Sequence, residues 1–299
     1  VSLDVSGQPT TSWRELVLGT DLQVMLLDGE PQRYVNLDNA ATTPPLRAVY
    51  EATNEFLPWY SSVHRGAGFK SQLSTDLYER ARQTIAAFVG ADLDRHEVIF
   101  VRNTTEAINN LAYLLRLQPD DVVIASVVEH HANLLPWRRA CQVAYLPADA
   151  QGRLNVADLP PLLDRYGRRV RLLAISGGSN VTGYLPPVRE LARLAHERGV
   201  PVFMDAAQLA PHRAIQMGAA DDAGRVDYLA FSGHKMYAPY GAGALIGRRE
   251  MFAQGDPYLV GGGAVEFVTT DDVLWAAPPD RHEAGSPNVV GVVAMARAA

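Results

Sequence analysis

From residue 34 onward the chain repeats one pattern: a short apolar run rich in β-branched residues, then a stretch with apolar residues three or four apart. The runs 97–101, 122–126, 143–146, 171–175, 200–204, 228–231 and 243–246 read as strands, and 74–89, 106–115 and 188–198 as helices. Strands that are apolar throughout, rather than alternately polar, are covered on both faces. Their alternation with helices predicts an α/β fold with a mostly parallel sheet and helices on both faces. A chain of 299 residues holds one large domain, or a large and a small one. Residues 1–33 are polar and weakly patterned, and read as an N-terminal arm with one short helix. The last twelve residues, 288–299, begin like a buried helix and stop without a cap or polar tail. The expectation is one large domain over 34–299, ending in the start of a helix toward a C-terminal small domain missing from the sequence.

Composition excludes more than it assigns. A net charge of −6 argues against nucleic acid or an anionic membrane as the main partner. No apolar run approaches the roughly 18–20 residues that span a bilayer. The N-terminus lacks the basic-then-apolar layout of a signal peptide. The single cysteine, Cys141, rules out an internal disulfide framework and suits a reducing compartment, so a cytoplasmic location is expected.

The chemistry sits at the ends of the strand runs. Ser232, Gly233, His234 and Lys235 directly follow one of them, and ligands of open α/β sheets bind outside the carboxyl ends of the strands. A lysine desolvated there has a lowered pKa and can attack an aldehyde; an isolated one would read as a surface turn residue. Asp205 closes the run before, as either a helix cap or a buried functional carboxylate, and Gln208 lies three residues on. A lysine nucleophile with an upstream buried carboxylate suits pyridoxal 5′-phosphate (PLP), whose pyridine ring must be protonated to draw electrons strongly.

Arg102, Asn103, Thr104, Thr105 and Glu106 follow another strand and open a helix. Its free N–H groups suit a phosphate, although plain capping explains the same residues. Glu129, His130, His131, Ala132 and Asn133 follow a third. Adjacent histidines do not share a helix face and no further His, Cys or Asp spacing completes a set, so no metal site is expected. An imidazole, His130, stacked on a cofactor ring and able to transfer protons near neutral pH as a catalytic residue fits better. Asn180, in the turn Ser179-Asn180-Val181-Thr182-Gly183, is placed to bond a phenolic oxygen or a substrate carboxylate. His64 and Arg65 supply cationic character for a carboxylate or phosphate, and Ser286 either caps the final helix or touches a phosphate. A dinucleotide-binding fold is disfavoured: Gly261, Gly262 and Gly263 are not followed by helical periodicity.

In their order, these segments resemble the class V aminotransferase superfamily, most closely the group II, Suf-type cysteine desulfurases and selenocysteine lyases. Leu37-Asp38-Asn39-Ala40-Ala41 and Glu283-Ala284-Gly285-Ser286-Pro287-Asn288 complete the set of matching blocks. The resemblance implies the large domain of a PLP-dependent transferase of fold type I. Lys235 is then the Schiff-base lysine and proton carrier, Asp205 the pyridinium partner, Gln208 the partner of the phenolic oxygen, and His130 the stacked ring. Thr105, Ser232 and His234 bind the phosphate, with Thr104 adjacent. Asn180 faces cofactor and substrate, and Ala40, His64 and Arg65 lie on the substrate side. Ser286 matches a position that reaches a neighbouring subunit's phosphate, implying a homodimer with composite sites.

The implied activity is sulfur mobilisation from cysteine, with alanine as product and a possible sulfur-acceptor protein. The alternatives are a C–S lyase, a selenocysteine lyase or an amino-acid epimerase on the same scaffold, or a non-catalytic scaffold. Two departures stand out. The family's nucleophilic cysteine and carboxylate-binding arginine belong to a C-terminal small domain that this sequence does not reach, and Cys141 reads as a small core residue. Gly177 and Gly178 also stand where the family more often carries a histidine or bulk.

Overall fold

The computed structural model describes residues 12–299. Ser12 caps a 3-10 turn, Trp13–Leu16, and a hairpin follows, β1 (Gln23–Met25) paired antiparallel with β2 (Pro31–Arg33). The hairpin was not anticipated, yet its turn carries the signal: Gly29 sits at φ 83° and the Asp28 carboxylate accepts from the Glu30 N–H.

The body is a seven-stranded sheet in the order β3-β9-β8-β7-β6-β4-β5. Its strands are β3 (His96–Val101), β4 (Val122–Ser126), β5 (Gln142–Leu146), β6 (Val170–Ser176), β7 (Val202–Asp205), β8 (Tyr228–Ser232) and β9 (Gly243–Arg248). Only β9 runs against the others. The mostly parallel sheet is therefore as expected, with each strand close to its predicted run. At β7 the strand begins two residues late, because Pro201 has no N–H to give to the ladder, and it extends to include Asp205.

Helices cover both faces, as the apolar runs require. On one face lie α1 (Arg47–Phe56), α2 (Phe69–Phe88), α5 (Leu159–Tyr166), α6 (Val188–His196) and α8 (Val289–Ala298); on the other lie α3 (Thr104–Leu114), α4 (Leu135–Ala140) and α7 (Arg249–Phe252). Successive strand residues alternate between the two cores. Val122, Ile124, Leu173 and Ile175 pack with the first set, while Val123, Leu172 and Ala174 pack with the second. Helix α2 starts five residues before its predicted start, behind Gly68, and Phe69 and Leu73 already carry the four-residue apolar spacing there. Outside the sheet, a second hairpin joins β10 (Val265–Val268) and β11 (Val273–Trp275).

A buried ion pair ties the segment before α8 to this body. Glu283 and Arg82 of α2 lie 2.8 Å apart with both side chains 5% exposed. Glu283 also accepts from the Tyr78 hydroxyl and the Phe100 N–H, each at 2.7 Å. Breaking a buried pair strands a charge. Glu283→Ala is expected to lower stability by about 3–5 kcal/mol in urea denaturation, and Glu283→Gln by less, since it keeps an acceptor for Phe100.

Candidate active site

Because six strands share one direction, their carboxyl ends meet along one edge of the sheet. The order reverses between β4 and β6, since β4 connects onward to β5 on one side and β6 to β7 on the other. A crevice opens at such a reversal. Here a cavity of about 440 Å³ gathers Lys235 and His234 after β8, Asp205 at the end of β7, Gln208, Asn180 after β6, His130 after β4, Thr104 and Thr105 at the start of α3, Ser232 and Ala40.

Asp205 is 4% exposed. One of its oxygens accepts from the Ala207 N–H at 2.9 Å, and no other protein donor serves it among the described residues. Burial pushes its carboxyl up to about 6, nearby Glu129 adds to the rise, and Lys235 opposes it. The Lys235 amine is pushed below its ordinary value by burial, with Asp205 pulling the other way. His130 is likewise lowered, by burial first and then by Lys235 and His131. Its Nδ1 accepts from the Ala132 N–H at 3.0 Å, which leaves the proton on Nε2.

The start of α3 forms the opposite wall. Asn103 caps it by accepting from the Glu106 N–H, and the buried Ser232 hydroxyl accepts from the Thr104 N–H while also bonding the Thr104 hydroxyl. The Thr105 N–H has no acceptor among the described residues, and Thr105 lines the cavity at this helix start. The His234 ring bonds the Thr42 hydroxyl at 3.1 Å, and Gln208 donates to the Ala40 carbonyl at 2.7 Å.

Three predicted residues are not brought to Lys235. His64, at φ 60°, bonds Glu79 at 3.0 Å, and Arg65 donates to the Gly262 and Gly285 carbonyls; both line a separate cavity near β10. Ser286 is exposed and outside both cavities. Cys141 ends α4 away from the cavity, and burial pushes its thiol up to about 11.

Sequence reasoning assigned no role to Glu129. Its carboxylate is buried and raised by that burial, and it accepts from Ser126, from Asn133 and from both the N–H and hydroxyl of Ser176. It thereby clamps the turn carrying His130 to the end of β6. The signal was present in its neighbours: a strand-end serine three residues before it and an asparagine four after. The bulk missing at Gly177 and Gly178 is supplied from elsewhere. A Cβ at Gly177 would meet Leu209 at 2.9 Å, and one at Gly178 would meet Leu185 at 3.1 Å.

The family model described as Aminotransferase class-V matches residues 35–299. The chain belongs to the class-V aminotransferase family. It is 39% identical over 273 residues to a probable cysteine desulfurase of Halobacterium salinarum, covering 88% of this chain and 64% of that one. It is 40% identical over 273 residues to the cysteine desulfurase CsdA of Escherichia coli, covering 88% of this chain and 66% of that one. Among solved structures, apo cysteine desulfurase from Thermococcus onnurineus superposes with a TM-score of 0.78 at 34% identity, over 87% of this chain and 65% of that one. The Escherichia coli CsdA crystal structure gives 0.75 at 39%, over 88% and 66%. The chain thus spans about 64% of the length of the first curated relatives it matches.

Class-V aminotransferases depend on PLP, and the cavity suits that group. The cavity lining brings together a buried carboxylate with one oxygen unbonded among the described residues, the start of α3 and the Lys235 amine. Apart from the cofactor, Asp205 is a liability. Its folded pKa of about 6 exceeds the unfolded value near 3.9, so the fold binds the extra proton. Its share of stability is full below about pH 4 and is lost as pH rises through about 6. Asp205→Asn, which keeps the Ala207 bond, is expected to stabilise cofactor-free protein by up to about 3 kcal/mol above pH 6, and by nothing near pH 4. Denaturation titrations across that range check it.

Proposed function

We propose that this chain is the cofactor-binding part of a cysteine desulfurase, acting on the amino acid cysteine and yielding alanine and a persulfide. The observation that carries this reading is Lys235 and the buried Asp205 carboxylate sharing one cavity with a helix start; the cysteine desulfurases among its relatives give the substrate.

When bound, PLP supplies an electron sink that stabilises negative charge at the substrate α-carbon. In this reading the Lys235 amine anchors the cofactor, and its lowered pKa keeps a neutral fraction available. The same amine would be the base that takes the α-proton. Asp205 would hold the ring nitrogen protonated, and His130, a neutral imidazole, would pack against the ring. Gln208 and Asn180 serve the phenolic oxygen, with Asn180 and Ala40 also on the substrate side. Thr105, Thr104, Ser232 and His234 hold the phosphate. Glu129 fixes His130 without touching substrate. Cys141, outside the cavity with its thiol held protonated, is not placed to take the sulfur.

The protein is proposed to work in the cytoplasm as a homodimer, handing sulfur to an acceptor protein. Ser286, exposed and outside its own cavity, is free to reach the phosphate end of the neighbouring subunit's site. Light scattering after size exclusion is expected to give twice 32.6 kDa for these 299 residues.

The chain holds only two lysines, Lys70 and Lys235, which makes the anchoring test clean. Borohydride reduction with PLP is expected to place the adduct on Lys235 alone by peptide mass spectrometry. Lys235→Ala should lose both the adduct and the visible absorbance, and an adduct on Lys70 would refute the assignment. With cysteine as substrate the protein should give alanine without pyruvate; pyruvate would turn the reading toward a C–S lyase.

A further inference from the structure

A second cleft, of about 1060 Å³, lies at the other end of the sheet, along the amino ends of the parallel strands. Strand β6 joins the two places: Val170 and Arg171 at its start line the cleft, and Ser176 at its end lines the Lys235 cavity. The cleft therefore carries no part of the chemistry assigned to Lys235.

Five separate elements each send an arginine to it: Arg116 after α3, Arg168 after α5, Arg171 in β6, Arg198 after α6 and Arg248 ending β9. Asp164 and Glu250 also line the cleft, so arginines outnumber carboxylates there by five to two, on a chain whose net charge is −6. Three of the five have acidic neighbours, Asp164 at 2.8 Å from Arg198, Asp227 at 3.7 Å from Arg248 and Asp121 at 3.8 Å from Arg171. Arg116 and Arg168 are exposed and have no acidic partner within 4.0 Å among the described residues. Leu114, Leu163 and Val170, each nearly buried, add small apolar patches to the lining.

The spacing of the charges selects the ligand. Arg248 and Arg171 stand on β9 and β6, three strand positions apart in the sheet order, which is roughly 14 Å at the usual inter-strand spacing. That is too wide for one phosphate to bridge. It matches about four residues of extended polypeptide, so carboxylates spaced along a chain can meet successive guanidinium groups while apolar side chains meet the small apolar patches between them. We propose that this cleft docks an acidic, partly apolar polypeptide segment of a partner protein. A partner held there leaves the mouth of the Lys235 cavity uncovered.

The test uses the PLP-loaded protein and a short fluorescent peptide alternating glutamate and leucine, read by anisotropy. Saturable binding is expected, weakening as salt is raised. A matched peptide with glutamine for glutamate should not bind. The double variant Arg116→Glu, Arg168→Glu should bind the acidic peptide at least about tenfold more weakly, with its cofactor absorbance and far-UV spectrum unchanged. Equal binding of the glutamine peptide overturns the proposal, as does unchanged affinity in the double variant. So does tripolyphosphate binding tighter than the peptide in a manner that depends on the same two arginines, since that marks a small-polyanion site.

Discussion

A strand covered on both faces has only its two ends in reach of solvent, and everything chemical in this molecule follows from that confinement. The cores above and below the sheet take up alternate residues of β4 and β6, leaving no polar position within either strand's apolar centre. Polar groups collect where the strands stop: Ser126, Ser176, Asp205 and Ser232 close β4, β6, β7 and β8. Because six strands run the same way, these endings share one edge. The cavity is thus assembled by direction and burial before any particular side chain is considered, and the identities of Lys235 and Asp205 then decide what it can do.

The same confinement explains what was legible beforehand. Strands 122–126 and 228–231 show in the sequence because double-sided burial leaves no polar residue to break the run. The hairpins β1–β2 and β10–β11 were invisible for the opposite reason. Their strands are three or four residues long and largely exposed, so no burial pattern is imposed on them. In the site, residues that directly end a strand were found by position alone. Glu129 escaped because its importance lies in partners from two strands, and convergence in space leaves no local spacing. His64 and Arg65 carry charge suited to an anion, but their actual partners, Glu79 and the carbonyls of Gly262 and Gly285, come from distant segments that no local pattern reveals.

Two buried acids of the body illustrate different solutions to one cost. Glu283 is surrounded by donors, including the Arg82 guanidinium, so its charge is compensated within the chain. Asp205 has a single protein donor and the half-buried amine of Lys235 nearby. One carboxylate is complete as folded; the other is left open toward the cavity, which is why the first reads as architecture and the second as a site.

That incompleteness has a bearing on the protein's life in a cell. A ligand that binds only the folded state raises its stability by mass action, and Asp205 makes the vacant fold the weaker of the two forms at neutral pH. Small differences of this kind change how much of a protein escapes proteolysis. Through one buried carboxylate, then, cofactor occupancy and fold stability are linked, so loss of the cofactor is expected to show as lower stability before any question of catalytic rate arises.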